Sequence, residues 1–249
     1  VNAKNANLEF KGFPILFSPL VNFSFNDERK SGFLVPSFGS TSRSGFETAL
    51  PYYLNLSPKS DATLTPRYLG KRGAQFSGEY RYLDKMYRGE TSLEYMPNDN
   101  ASDTNNRYYA KFKHFHEFNN GFEGGYNLEK VSDDNYFSDM SSLITVTSQV
   151  NLKQEIFLNY AKNDWEARLL TSKFQNLSTY SPYERLPSLS INHNKEFLDA
   201  NGFTAFEIST NFNYTKFERN NDFVGVSPNG GRLIARQTIG VPFERSYGY

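Results

Sequence analysis

The sequence predicts an all-β chain, an antiparallel transmembrane β-barrel of outer-membrane type, and three observations lead there. Ring-bearing and polar residues alternate with period two along most of its length, the periodicity of a strand whose successive side chains face opposite ways. Several such segments run to 11 residues or more, against about 5–6 in ordinary globular sheets and about 9–11 for a tilted strand crossing a bilayer. Long and short connections alternate in the second half of the chain, as extracellular loops and periplasmic turns do in such barrels.

The composition fits this pattern. Of 249 residues, 17 are Tyr, 23 Phe and 1 Trp, yet mean hydropathy is −0.64, so rings and polar groups must be interleaved. The 27 Lys and Arg balance 27 Asp and Glu, which argues against a polyanion binder. With no cysteine there is no disulfide framework, thiolate metal site or cysteine nucleophile. No run reaches the 18 or more apolar residues of a spanning helix. The start, Val1-Asn2-Ala3-Lys4, has no initiator Met and no basic cluster with an apolar stretch behind it; it reads as a mature or excised segment.

Twelve strands are expected after a lead-in, over 31–41, 44–55, 60–70, 73–83, 88–97, 105–118, 121–131, 148–161, 164–175, 184–194, 202–218 and 231–241. The fourth is the clearest: Ala74, Phe76, Gly78, Tyr80 and Tyr82 alternate with Gln75, Ser77, Glu79 and Arg81. In a barrel wall Phe76, Tyr80 and Tyr82 face lipid, and Gln75, Glu79 and Arg81 face the lumen. The long connections are 98–106, 132–147, 176–183 and 219–230, and the short ones 119–120, 162–163 and 195–201. A short helical turn is expected at Tyr136–Met140. A soluble β-sandwich also alternates, but its core face would not be so dominated by Tyr and Phe, nor its other face so uniformly Glu, Arg, Asn and Gln.

The lead-in differs in character. The apolar stretch 12–19 carries Pro14 and Pro19 and gives way to the charged Asn26-Asp27-Glu28-Arg29-Lys30, so residues 1–30 read as the last strand of a preceding domain plus a connector at the membrane edge. Specific motifs then follow in order: DERKSGFLVP from Asp27 to Pro36, LPYYLNLSP from Leu50 to Pro58, and DATLTPRY from Asp61 to Tyr68. KRG at 71–73, EYRYL at 79–83 and VSDDNYFSD from Val131 to Asp139 complete the series. Over about residues 12–140 this series resembles the LptD (OstA) family of outer-membrane lipopolysaccharide-assembly proteins; beyond, the likeness is mainly strand spacing.

The resemblance implies a non-enzymatic assembly site, with no cofactor, that inserts lipopolysaccharide into the outer leaflet. It implies a barrel of roughly 26 strands, a periplasmic β-jellyroll ahead of it whose end is residues 1–30, the lipoprotein LptE inside, and a periplasmic LptA-type bridge. The lipid leaves sideways through a seam between the first and last strands, and the N-terminus is periplasmic. On this view residues 31–249 form the N-terminal half of the barrel and stop near a thirteenth strand; alone they would leave an open edge with unpaired backbone groups in lipid. A passive porin or ligand-specific channel, and a soluble carbohydrate-binding sandwich, are the competing functions.

Other chemistries are poorly supported. His114 and His116 share one face of a strand, but His193 lies several strands away and a zinc site needs more ligands. Asp99 and Asp103 lack the spacing, central Gly and terminal Glu of an EF-hand and read as a solvated loop. Asp133 and Asp134 read as loop charges. Ser190 and His193 fall on opposite strand faces without a nucleophile elbow, and Ser227–Gly231 is turn chemistry with no phosphate-loop Lys after it. The sharpest expectation concerns Pro36 and Pro51. Both lie in the first hairpin, whose turn is centred near Ser42-Arg43, so Pro36 should stand opposite position 49 or 50. Proline is avoided inside paired strands, and two of them here mark this hairpin as a weak seam, the lateral gate of the resemblance.

Overall fold

The structure is a computed structural model that describes residues 2–10, 13–22, 29–141, 149–178, 182–200, 202, 204–219 and 229–242. Most of the connector 23–28, the residues 227–228 and everything after 242, where a thirteenth strand was expected, lie outside the described residues. The chain begins with a two-stranded antiparallel sheet, β1 (Asn2–Phe10) and β2 (Phe13–Asn22). The lead-in is thus a hairpin, where one strand was expected.

Among the described residues, all the other strands join one antiparallel sheet of 14 strands. They are β3 (Gly32–Phe33), β4 (Ser37–Thr41), β5 (Gly45–Ala49), β6 (Tyr52–Ser57), β7 (Ser60–Leu69), β8 (Gly73–Leu83) and β9 (Tyr87–Met96). After β10 (Arg107–Glu117) and β11 (Phe122–Val131) comes the helix α1 (Tyr136–Met140), then β12 (Asn151–Lys162), β13 (Trp165–Asn176), β14 (Glu184–Leu198), β15 (Thr204–Glu218) and β16 (Gly230–Gly240). The twelve expected strands are all present. The first two are each broken in two, β3 with β4 and β5 with β6, which gives the fourteen. The helical turn falls on the expected residues.

Sequential neighbours pair from β7 to β16 in a meander with β16 at one edge and β4 at the other, the wall of an outer-membrane barrel. The turns 42–44 and 70–72 and the connection 97–106 lie at one end of the sheet, with the last residues of β11, β13 and β15; this is the long-loop end. The turns 58–59, 84–86, 118–121 and 163–164 lie at the other, with the last residues of β14. At the 118–121 turn Asn120 and Gly121 adopt φ of 65° and 84°, and a Cβ on Gly121 would sit 2.3 Å from the Ala161 carbonyl oxygen.

The register carries the two-faced pattern across the sheet. One rung runs Gly124, Leu158, Leu169, Leu189, Tyr214, Leu233 from β11 to β16; the adjacent rung, on the other face, runs Glu123, Asn159, Arg168, Ser190, Asn213 from β11 to β15 and ends on Ile234 in β16. The apolar face is uncovered: Ile156 is 57% and Phe76 53% exposed. The chain as a whole exposes 17377 Å², against about 11,000 Å² for a compact monomer of this mass. A sandwich would have buried that surface against a second sheet. The buried apolar cluster is small and local: Leu69, Met96, Val131 and Leu152 with Tyr136, Phe137 and Met140 of α1, at the long-loop end.

Candidate functional site

Two neighbouring structures occupy the region around the first hairpin. The first is a proline-broken patch of sheet. Ser37 pairs with Ala49 and Phe33 with Tyr52, so the register slips by one between the two halves of the hairpin, and the ladder lapses over residues 34–36 and 50–51. Continuing from Ser37–Ala49 brings Pro36 alongside Leu50, with Pro51 next. Across the lapse, the Leu34 N–H donates to the Pro51 carbonyl at 2.9 Å and the Leu50 N–H to the Pro66 carbonyl at 3.1 Å.

Each of these contacts is half of an ordinary hydrogen-bonded rung. The reciprocal bond would come from the proline nitrogen, which has no hydrogen. Pro66, on β7, is a third proline in the patch that sequence reasoning passed over, although it stands in the motif DATLTPRY. Since Leu50 turns its amide to β7, the facing residue Pro36 turns its own polar groups away from the hairpin, toward the free edge of the sheet.

The second structure is a charged clasp at the long-loop end. Arg107, at the start of β10, is fully buried. It grips Asp133 with two hydrogen bonds, Nε at 2.9 Å and Nη2 at 2.8 Å, and its Nη1 donates to Asp99 at 2.6 Å and Asp139 at 2.9 Å. Arg72 adds a second cation, 2.7 Å from Asp99 and 3.3 Å from Asp139. Beneath α1, the Tyr136 hydroxyl donates to Glu94 at 2.7 Å and accepts from Gln75 Nε2 at 3.1 Å. Burial by itself would raise the Asp133 carboxyl, but the hydrogen bonds from Arg107 and Ser132 hold it below the usual carboxylate range. Burial pushes the Tyr136 phenol up, reinforced by the Glu94 charge.

The clasp reaches the first hairpin. Arg67 on β7 donates to Glu47 of β5 at 2.6 Å and to the Met140 carbonyl of α1 at 3.2 Å. Arg43, in the β4–β5 turn, donates to the Ser138 carbonyl.

The family model for LptD, described as LPS transport system D, matches residues 105–249. The chain is 37% identical over 243 residues to the LPS-assembly protein LptD of Aromatoleum aromaticum, covering 97% of this chain and 30% of that protein. It is 40% identical over 243 residues to that of Ralstonia nicotianae, covering 96% and 29%. It is 38% identical over 249 residues to that of Bordetella pertussis, covering 98% and 31%. The chain belongs to the LptD family. It spans about a third of the length of these LptD relatives. The likeness extends through the second half, where the motifs had left only spacing: the LptD model covers that half whole.

Within this LptD segment, Gln75, Glu79 and Arg81 share the face that α1 covers, and Phe76, Tyr80 and Tyr82 the opposite one. Gln75 is buried beneath Tyr136, while Arg81 binds Asp61 at 2.9 Å and Glu79 at 3.2 Å. The Tyr82 ring lies over Gly89, where a Cβ would come within 2.2 Å of its hydroxyl oxygen, and that hydroxyl is 2.6 Å from His114 Nδ1. His116 stacks on Phe118 and His193 lies against Trp165. No group of three or more His, Cys, Asp or Glu is placed to hold a metal among the described residues.

Two sequence readings are corrected. Asp99 is not a solvated loop residue: its side chain is 0% exposed, between Arg72 and Arg107. Asp133 is not a free loop charge, since Arg107 holds it bidentate. Arg72 stands 27 residues from Asp99 and Arg107 stands 26 from Asp133, and even the 8 residues between Asp99 and Arg107 cross a loop, beyond the reach of any period-two argument.

Proposed function

We propose that this segment is the N-terminal half of a barrel that inserts lipopolysaccharide into the outer leaflet of the outer membrane, with the first hairpin as its lateral gate. The carrying observation is the proline patch at a free sheet edge. Pro51 leaves one rung inside the hairpin with a single bond, Pro66 does the same between the hairpin and β7, and Pro36 presents no donor to whatever strand pairs beside it. A lost backbone bond forfeits roughly 0.5–1.5 kcal/mol, and a few such losses shift a seam between closed and open populations. A strand pair that must part sideways in a bilayer benefits from being the weakest pair in the wall.

The remaining assignments follow from this reading and from the relatives' description as LPS-assembly proteins. The apolar face carrying Phe76, Tyr80 and Tyr82 meets lipid; the face carrying Gln75, Glu79 and Arg81 lines the lumen, where LptE sits. The long-loop end is extracellular. The β1–β2 hairpin closes a periplasmic β-jellyroll that docks an LptA-type bridge and places the N-terminus in the periplasm.

The test is a double replacement, Pro36→Val with Pro51→Val, in the complete protein. Folding should be intact or improved, export of lipopolysaccharide to the surface should fall, and sensitivity to bulky antibiotics should rise. Normal export by a well-folded double variant would remove the gate and leave the barrel standing.

A further inference from the structure

Helix α1 is built into two parts of the molecule at once. Its acidic and aromatic side chains fix it to the wall: Asp139 to Arg107 and Arg72, Tyr136 to Glu94. Its carbonyls point the other way. Ser138 and Met140 offer their carbonyl oxygens to Arg43 and Arg67, and cations are favoured at the C-terminal carbonyls of a helix. Arg67 also holds Glu47. Two arginines therefore tie α1 to the outer part of the first hairpin, residues 37–49.

Its other holds are short. Below it the ladder lapses at the prolines, its pairing with β7 is three rungs long, Glu47–Leu69, Thr48–Tyr68 and Ala49–Arg67, and beyond these it takes two backbone bonds from Gly70 and Lys71 and one from the Lys71 side chain to the Ser42 carbonyl. β8 and β9, by contrast, share pairs from Phe76–Tyr95 through Leu83–Arg88.

We propose that α1 is a strap that holds the outer half of the gate hairpin against the wall, with Arg43 as its release point. Arg43 is exposed in a turn and makes no part of the buried clasp, so its bond can break while α1 stays on the wall. The hairpin then swings about the proline patch, retaining β6 on β7. The strap rests on the gate reading for its purpose, although not for its existence.

The experiment is hydrogen exchange on the complete protein in its assembled state, wild type against Arg43→Ala and Arg43→Lys. Arg43→Ala should speed exchange of amides 37–49 about five-fold, one surface-accessible hydrogen bond's worth. Exchange in 107–117 should be unchanged, which also reports that the wall is folded. Arg43→Lys, which can still donate to a carbonyl, should recover most of the protection. Unchanged exchange in 37–49 overturns the strap, whatever export does. Faster exchange with heightened sensitivity to bulky antibiotics supports both strap and gate. Faster exchange with unaltered export and sensitivity supports the strap and counts against the gate.

Discussion

The first hairpin and the wall from β7 to β11 obey the same strand period and the same antiparallel pairing, yet they are held in opposite ways. In the wall the ladders run unbroken, and at the long-loop end Arg107, Arg72 and three aspartates add side-chain bonds on top of them. In the hairpin the ladder itself is incomplete, and the side-chain bonds that compensate come from Lys71 and Arg67 to residues of the hairpin and from Arg43 and Arg67 to the carbonyls of α1. Backbone pairing is nearly indifferent to sequence, so a barrel can make one seam weaker than the rest only by subtracting donors there or by adding side-chain bonds elsewhere. This chain does both within one neighbourhood.

The largest effect should come from the clasp. Arg107→Ala leaves Asp99 buried beside a single remaining cation, Arg72, and breaking a buried pair in this way costs about 3–5 kcal/mol. The variant should open the 132–141 segment to protease and reduce the yield of folded barrel. Adding Asp99→Asn should recover part of the loss, because the stranded charge is gone. If Arg107→Ala proved milder than Pro36→Val with Pro51→Val, the contrast between reinforced wall and weak seam would be inverted.

How far the sequence revealed this depends on the range of the interaction. Period two and turn spacing are local, and they located every pass of the sheet, the turn near Ser42-Arg43 and α1 itself. The two prolines were legible for the same reason, since counting back from one turn sets their register. Pro66 was missed because it lies in a different hairpin, and its contact with Leu50 depends on how β5 meets β7. The clasp was illegible: Asp99, Asp133 and Asp139 come from two loops, and only the closed fold brings them onto Arg107. A loop of aspartates looks solvated until its partner is in place.

A smaller effect tests the faces of the wall. Phe76 is half exposed on the apolar face, and an arginine on a lipid-facing position costs up to about 2–4 kcal/mol, the value reached at the bilayer midplane. Gln75 is a poor control, because its burial under Tyr136 would penalise any larger residue. Thr63, which pairs with Glu79 on the polar face, is a better one. Phe76→Arg should lower folded yield and thermal stability of the barrel, and Thr63→Arg should leave both near wild type. Equal tolerance of the two, or a worse result for Thr63→Arg, would reverse the facing.

Near neutral pH the smallest effect of all separates the two regions, and it grows only in acid. Arg107 and Ser132 hold the Asp133 carboxyl below its ordinary value, and that value is about 3.9 in an unfolded chain. A carboxylate depressed by folding contributes its full stabilisation above the unfolded value and loses it as pH falls through the folded one. The clasp should therefore stay shut from pH 8 to pH 5 and loosen only below about pH 4. The proline-broken rungs contain no titrating group, so acid reaches the hairpin through the strap and through Glu47, the carboxylate that Arg67 holds. A spin label on Asn135→Cys, beside Asp133 and exposed, should keep one mobility down to pH 5 and become more mobile below pH 4. A label on Phe38→Cys in the hairpin should follow it, because α1 carries the strap. If the Asn135 label is released already between pH 7 and pH 5, something other than the aspartate clasp holds α1. If the Phe38 label stays fixed while α1 comes free, the hairpin is held by its own bonds to β7 and the 70–72 turn, without the strap.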